Sequence, residues 1–298
     1  MAGTVEVIIN AGSGSVLADE TECSLHDSFL ERGIRTTIRL ATTGAEVELL
    51  AAEAANGEAE VIVAAGGDGT ISTVAKEVHR TGKVLGILPL GTLNNFSKDL
   101  GIPQIIGDAV TTIAEGNVSQ IDMAEVNGRV FLNNSSIGLY PRMVRHRVEQ
   151  QRLGYGKWRA AFWAWLRIFR LSPFLDVTIK IDNKVFRRKL PFVFVGNNEY
   201  EMDLYNIGRR PTLDEGKLSV YFIHSGGRWG VTLLLLHTLT GRLKQWRDFE
   251  AVSSEEVTIA SRKKRLLVAF DGEVGVMQTP LCYRSLPKAL KVIVPSSR

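Results

Sequence analysis

The run Val61-Ile-Val-Ala-Ala-Gly-Gly-Asp-Gly-Thr70 constrains this chain more than any other feature. Apolar residues without alternation read as a strand buried on both faces, the texture of a parallel sheet covered by helices. Parallel strands need crossover connections, and the flanking sequence supplies them. Val5–Ile9, Arg35–Leu40 and Val84–Pro89 read as further strands. Asp19–Arg32, Ala45–Ala55, Ile71–Arg80 and Ile106–Ala114 carry helical patterns that stop at Gly33, Asn56-Gly57 or Glu115-Gly116. This alternation predicts an α/β unit.

Past about Ile121 the texture changes. Asn127-Gly128 and Asp182-Asn183 each separate two strand-like runs, Asp122–Val126 from Arg129–Asn133 and Leu175–Ile181 from Lys184–Lys189. Such pairs favour tight hairpin turns. Phe192–Val195, Lys217–Ile223, Val257–Ala260 and Leu266–Phe270 read as more strands, and Pro141–Arg152, Lys157–Leu171 and Val231–Trp246 as helices. A β-rich second domain is expected, with the boundary near Gln120.

The net charge of +4 hides an asymmetry. Residues 1–120 hold 7 Lys and Arg against 16 Asp and Glu, whereas residues 121–298 hold 29 against 16. A basic half suits an anionic surface. Cys23 and Cys282 are far apart, which argues against a disulfide framework or a zinc site and fits a reducing cytosol. The five histidines have no ligand spacing and read as structural. Trp229–Leu236 is too short to span a bilayer, and Met1–Asn10 lacks the basic start of a secretory signal.

Three segments point to phosphate chemistry. In Gly66-Gly67-Asp68-Gly69-Thr70 a strand delivers glycines to a helix N-terminus, where backbone approach, free N–H groups and the helix dipole favour an anion. Asp68 there needs a cation beside it, as a Mg²⁺-nucleotide provides, and Thr70 stands where it could cap the helix. Gly91-Thr92-Leu93-Asn94-Asn95 follows a second buried strand, and Asn10 with Gly12-Ser13-Gly14 follows a third. All three fall at carboxyl ends of strands, the ligand edge of an α/β sheet. Asp271-Gly272-Glu273 closes another strand with paired carboxylates, suited to a general base and a metal or orienting group.

Together these motifs, in this order, resemble the diacylglycerol/sphingosine lipid kinase catalytic family, in its bacterial diacylglycerol kinase and YegS-like branch, over essentially the whole chain. The resemblance implies a Rossmann-like nucleotide domain, residues 1–121 with 287–298, and a β-sandwich-like lipid-substrate domain, residues 122–286, similar to NAD kinase and diacylglycerol kinase folds. It implies ATP and Mg²⁺, with ATP in the cleft. The nucleotide side would use Asn10, Thr43, Gly66, Gly67, Asp68, Gly69, Thr70, Gly91, Thr92 and Asn95. Glu273, Asp271 and Asp68 would be catalytic, Glu273 as base and Asp271 as orienting or metal group, with those two roles interchangeable. Asn197-Asn198 and Pro211–Leu218 look like the family's metal loop, with the Glu215 side chain and the Thr212 and Lys217 carbonyls as ligands. The family has Asp-Asp-Gly where this chain has Asp214-Glu215-Gly216, and the longer side chain bears on a cation that demands near-ideal octahedral geometry. It also carries an acid where this chain has Tyr140-Pro141.

The activity so implied is phosphorylation of a membrane-lipid hydroxyl by a cytoplasmic enzyme, peripheral at the inner membrane face. Which lipid is left open: diacylglycerol, a sphingoid base or another lipid alcohol. Trp158, Phe162, Trp165 and Phe169 at helical spacing, with Arg142, Arg145, Arg147, Arg159, Arg167 and Arg170, have the composition of an interfacial surface. The partners expected are the lipid substrate and an anionic membrane surface, with a homodimer possible and no nucleic acid. The rival readings are a NAD kinase-like enzyme, which shares Gly66–Thr70, and a non-catalytic lipid- or nucleotide-binding regulator.

Overall fold

The computed structural model describes residues 4–13, 18–138, 141, 174–201, 208–223 and 249–296. The chain divides into two compact units, Met1–Met123 with Pro287–Arg298, and Ala124–Leu286.

In the first unit, β1 (Val5–Asn10), β2 (Thr36–Ala41), β3 (Val61–Gly66) and β4 (Val84–Pro89) run parallel in the order β2-β1-β3-β4. Val7, Ile8 and Ile9 of β1 and Ile62 to Ala65 of β3 are wholly buried, as unbroken apolar strands must be when helices cover both faces. The covering helices are α1 (Ala18–Leu30), α2 (Gly44–Asn56), α3 (Asp68–Thr81) and α5 (Ile106–Glu115), with a short α4 (Asn95–Asp99) between. Helix α3 buries Ile71, Val74, Ala75 and Val78, and α2 buries Val47, Ala51, Ala54 and Ala55, each set at i, i+3, i+4, i+7 or i+8. From β1 the chain winds outward to β2 on one side, then crosses to β3 on the other. The topological switch therefore lies at the carboxyl ends of β1 and β3, where open α/β sheets bind ligands. The end of the last strand joins this sheet, with Lys291 and Val292 parallel to Val84 and Leu85.

The second unit is built from strands. They are β5 (Val118–Val126, which enters from the first unit), β6 (Arg129–Phe131), β7 (Asn134–Gly138), β8 (Leu175–Ile181), β9 (Lys184–Leu190) and β10 (Phe192–Asn197), followed by β11 (Leu218–Ile223), β12 (Phe249–Ser254), β13 (Glu256–Ser261), β14 (Arg265–Phe270), β15 (Glu273–Gln278) and β16 (Leu281–Ile293). One antiparallel sheet has the order β12-β11-β10-β7-β14-β15, and a second ladder runs β16-β13-β8-β9. Alternate residues of both layers fill one core, among them Val195, Val220, Phe222 and Val268 from the first and Val177, Ile179, Val257 and Ile259 from the second. This is the sandwich arrangement. The fold is thus α/β, a parallel sheet with its helices plus a β-sandwich-like unit.

The turn residues act as their chemistry requires. Asn127-Gly128 and Asp271-Gly272 take φ of +48° and +78°, and +47° and +84°, the primed hairpin geometry open to Asn, Asp and Gly. One difference from the expected boundaries bears on the site. Helix α3 starts at Asp68, so Asp68 to Thr70 form its first turn and not a preceding loop. Strands β7, β12, β15 and β16 and helix α4 carry no clear periodic signal. β7 reads Asn-Ser-Ser-Ile-Gly and is a strand because β10 and β14 pair with it on both sides. Apart from Pro141, the helices expected at Pro141–Arg152, Lys157–Leu171 and Val231–Trp246, with the Trp158–Phe169 aromatic series and its arginines, lie outside the described residues. Among the described residues, no helix is long and apolar enough to cross a membrane.

Candidate functional site

Three loops meet at the carboxyl edge of the first unit's sheet. β3 ends at Gly66, and Gly67 caps α3 in an extended conformation with no side-chain capping bond. The first-turn amides Asp68, Gly69 and Thr70 therefore stand at a helix N-terminus, where intrahelical partners do not exist. Thr70, expected to cap this helix, does something else. It is 6% exposed, and its hydroxyl accepts a hydrogen bond from Asn10 Nδ2 at 2.9 Å, tying β1's end to α3. Asn10 Oδ1 takes the Gly12 N–H at 3.1 Å, which folds the turn after β1.

The loop after β4 comes against Gly67 backbone to backbone. A Cβ placed on Gly91 would lie on Gly67 Cα and 2.6 Å from Asn94 Oδ1, and one on Gly66 would lie 2.6 Å from Thr70 Oγ1. Only glycine permits that approach. Asn94 sits in the left-handed region (φ +50°) and is 7% exposed, with Nδ2 on the Pro89 and Gly91 carbonyls at 3.2 and 2.9 Å. Asp68 completes the closure. Its Oδ2 accepts the Asn95 N–H at 3.2 Å and its Oδ1 the Phe96 N–H at 3.0 Å, so it caps α4 from across the site. Thr92 and Asn95 stay exposed on this loop.

Thr43 lies one turn away on the same edge. Its hydroxyl accepts the Glu46 N–H at 3.2 Å as the N-cap of α2, while the Glu46 carboxylate takes the Thr42 N–H and hydroxyl at 2.7 and 2.9 Å. These bonds, the Thr42 amide first, hold the Glu46 carboxyl below its usual range. Gly12 packs onto the Thr42 carbonyl, which brings the β1 and β2 turns together.

In the second unit, Asp271-Gly272 forms the two-residue turn between β14 and β15, and Phe270 pairs with Glu273 across it. The Asp271 carboxylate is engaged. Oδ2 accepts the Leu132 N–H at 2.7 Å, and Oδ1 the N–H groups of Asn133 and Asn134 at 2.8 and 3.2 Å. The Asp271 N–H donates to the Asn134 carbonyl at 2.9 Å. Asp271 is therefore an anchor, whereas Glu273 is exposed at the start of β15.

The 212–217 loop closes on itself. Thr212 Oγ1 donates to Glu215 Oε1 at 2.6 Å, the Glu215 N–H donates to Asn198 Oδ1 at 3.2 Å, and the Asn198 N–H to the Lys217 carbonyl at 2.9 Å. Thr212, Glu215 and Lys217 thus share one loop. Glu215 gives one carboxylate oxygen to Thr212, and the fully buried Asn198 holds the Glu215 amide. Among the described residues no group of three His, Cys, Asp or Glu could hold a metal. The site expected here draws on one carboxylate, that of Glu215, and two backbone carbonyls, those of Thr212 and Lys217.

Spacing misses Asn133, Tyr200 and Arg210, and it gives no hint that Asn197, Tyr200 and Arg210 bond the Leu132–Asn133 segment that holds Asp271. Nothing local marks them: Arg210 is one cation in a basic half, and its burial depends on contacts with residues up to 78 positions away.

A parallel sheet with a glycine-rich carboxyl edge and a β-sandwich-like unit with an acidic hairpin turn define a two-unit α/β class, which similarity to known proteins narrows. Residues 4–126 match the diacylglycerol kinase catalytic domain, and residues 137–294 match the YegS C-terminal NAD kinase beta sandwich-like domain. The chain belongs to the lipid kinase family that joins these two domains. It is 24% identical over 299 residues to a diacylglycerol kinase of Bacillus subtilis (strain 168), covering 98% of this chain and 96% of that one. It is 27% identical over 303 residues to an uncharacterized Synechocystis sp. protein, covering 96% of this chain and 68% of that one. A crystal structure from Bacillus anthracis str. Sterne superposes with a TM-score of 0.74 at 22% identity, covering 98% and 97% of the two chains, and shares the fold.

Proposed function

We propose that this protein transfers the γ-phosphoryl group of Mg²⁺-ATP to the hydroxyl of a membrane lipid. One observation carries the reading: the backbone cradle at Gly66, Gly67 and Gly91, facing the α3 N-terminus and latched by Asp68. The glycines let the β3 and β4 loops close on each other, and the first-turn amides of α3, with open space at Gly69, are left at a helix N-terminus that fits the phosphates of a nucleotide. Bound Mg²⁺ would neutralise phosphate charge beside Asp68, reached through the lone pairs that Asn95 and Phe96 leave. Asn10, Thr70, Thr92 and Asn95 would fix the nucleotide, and Thr43 would keep the adjoining turn in shape. Such transfer needs positioning and charge neutralisation more than covalent chemistry by the protein.

Glu273 would accept the proton of the lipid hydroxyl as its oxygen bonds to the γ-phosphorus and ADP leaves. Asp271 holds that turn and is the less suitable base, because both its oxygens already accept amides. The acceptor lipid requires a membrane-facing surface. Exposed Arg187, Arg188 and Lys189 of β9 lie in register with Thr178, Val177 and Asp176, and Ser261, which leads into Arg262-Lys-Lys-Arg265, pairs with Val177. These cations gather at one corner of the sheet, with Asp176 bonded to Arg262 at 3.4 Å, and suit an anionic bilayer at the inner membrane face. The test is incubation with radiolabelled ATP and either mixed lipid micelles or NAD. Label in lipid supports the reading, and label in NAD alone refutes it.

A further inference from the structure

The acidic turn is held from behind by a buried cation. Arg210 is 1% exposed and is among the largest fully buried side chains of the described residues. A guanidinium offers five donors in a rigid fork and stays charged, so burial is tolerable only where carbonyls and rings replace water. Arg210 Nη1 donates to the Leu132 carbonyl at 3.0 Å and the Asn197 carbonyl at 3.4 Å, and Nη2 donates to Asn133 Oδ1 at 2.7 Å. Its Cζ lies 5.5 Å from the centre of the Tyr200 ring. Tyr200 in turn donates its hydroxyl to the Asn133 carbonyl at 3.0 Å, and Asn197 Nδ2 reaches the Leu132 carbonyl at 2.9 Å.

Apart from the bond to the Asn197 carbonyl, these bonds fall on Leu132 and Asn133, two of the three residues whose amides clamp Asp271. Leu132 and Asn133 present oxygens to Arg210, Tyr200 and Asn197, while Leu132, Asn133 and Asn134 present N–H groups to the Asp271 carboxylate. A carbonyl that accepts from a guanidinium polarises its peptide and strengthens the N–H on the far side. We propose that Arg210 is a positioning residue for the acidic turn: its fork fixes Leu132–Asn134, their amides fix Asp271, and Asp271 sets where Glu273 stands. Arg210 also precedes Thr212 by two residues, so the self-closed 212–217 loop is what delivers the fork. The catalytic consequence rests on Glu273 acting as base; the structural coupling does not.

The test uses the full chain. Arg210→Lys keeps the charge and loses the fork, and hydrogen exchange is followed on the peptide spanning Leu132–Asn134. Those amides should exchange at least about tenfold faster, since their Asp271 bonds lose support, while amides of β1 and β3 keep their protection. In lipid phosphorylation kcat should fall about 10- to 100-fold, the cost of a displacement near one ångström, with ATP affinity unchanged. Added to Asp271→Asn, the same substitution should cost less than about threefold more, because both act on one anchor. Asn133→Ala, which removes only the Nη2 acceptor, should move each readout the same way by less, and covers the case in which Arg210→Lys fails to fold. Unchanged exchange at Leu132–Asn134 overturns the proposal, as does a full multiplicative loss in the Asp271→Asn background. A wild-type chain that labels no lipid refutes Glu273 as base, and the exchange arm then decides Arg210's hold by itself.

Discussion

Asp68→Asn tests the latch across the nucleotide edge. The native carboxylate accepts two amides, from Asn95 at 3.2 Å and Phe96 at 3.0 Å. The amide keeps one acceptor for Phe96 and turns a donor toward the Asn95 N–H. A hydrogen bond to a charged group contributes about 1.5–3 kcal/mol, and the half-exposed position of Asp68 reduces this to about 1–2 kcal/mol. For a unit of this size that corresponds to a fall of roughly 3–8 °C in its melting temperature. If phosphates bind only when the Gly67 and Gly91 loops are latched, the same energy weakens nucleotide binding by about 5- to 30-fold. Calorimetric unfolding and titration with ATP, with and without Mg²⁺, measure both. The latch predicts a loss already present without Mg²⁺, and any excess with Mg²⁺ reports the cation. A variant that melts with the wild type and binds metal-free ATP equally well refutes the latch.

Gly91→Ala puts a methyl onto the Gly67 backbone, and nucleotide affinity should fall by at least about tenfold, read by titration, while β-sandwich hydrogen exchange is unaltered. Glu273→Gln should cost about 10²–10⁴ in kcat with ATP affinity intact, and a variant retaining most of kcat moves the base to Asp271. Arg187, Lys189 and Lys263 all changed to Gln should weaken co-sedimentation with anionic vesicles by roughly 3 kcal/mol, about a hundredfold, because each basic residue near such a surface contributes about 1 kcal/mol. Raised salt should weaken wild-type docking in the same way, and indifference to both changes excludes this corner as the contact.

The parallel sheet was legible because burial on both faces leaves an unbroken apolar run: Val84–Pro89 matches the observed strand, and Val61–Ala65 falls one residue short. The hairpins at Asn127-Gly128 and Asp182-Asn183 were legible because Asn, Asp and Gly tolerate the positive φ that Asn127, Gly128 and Asp182 adopt. β7 was not, since its Asn-Ser-Ser core is a strand only by virtue of its partners. At the site, spacing identified Asp68 and Asp271 as chemically pointed acids. Their amide partners, 27 and more than 130 residues away, are written nowhere near them. Asp68 reads locally as a cation-seeking acid, and in the structure its carboxylate caps a helix. Asp271 reads as half of a carboxylate pair and proves to be the anchor of that pair. Arg210 gives the limiting case, because no local pattern separates a buried fork from a solvated one.

The central claim is phosphoryl transfer from ATP to a lipid hydroxyl through the Gly66–Thr70 edge and Glu273. Its most direct measurement is phosphorylation of a total lipid extract with Mg²⁺ and ATP, with products identified by mass spectrometry and Asp68→Ala and Glu273→Gln run alongside. The account predicts a new phosphate monoester on a lipid alcohol that requires Mg²⁺ and disappears in both variants. Tight ATP binding with no lipid product, or a product that Glu273→Gln makes at the wild-type rate, contradicts it.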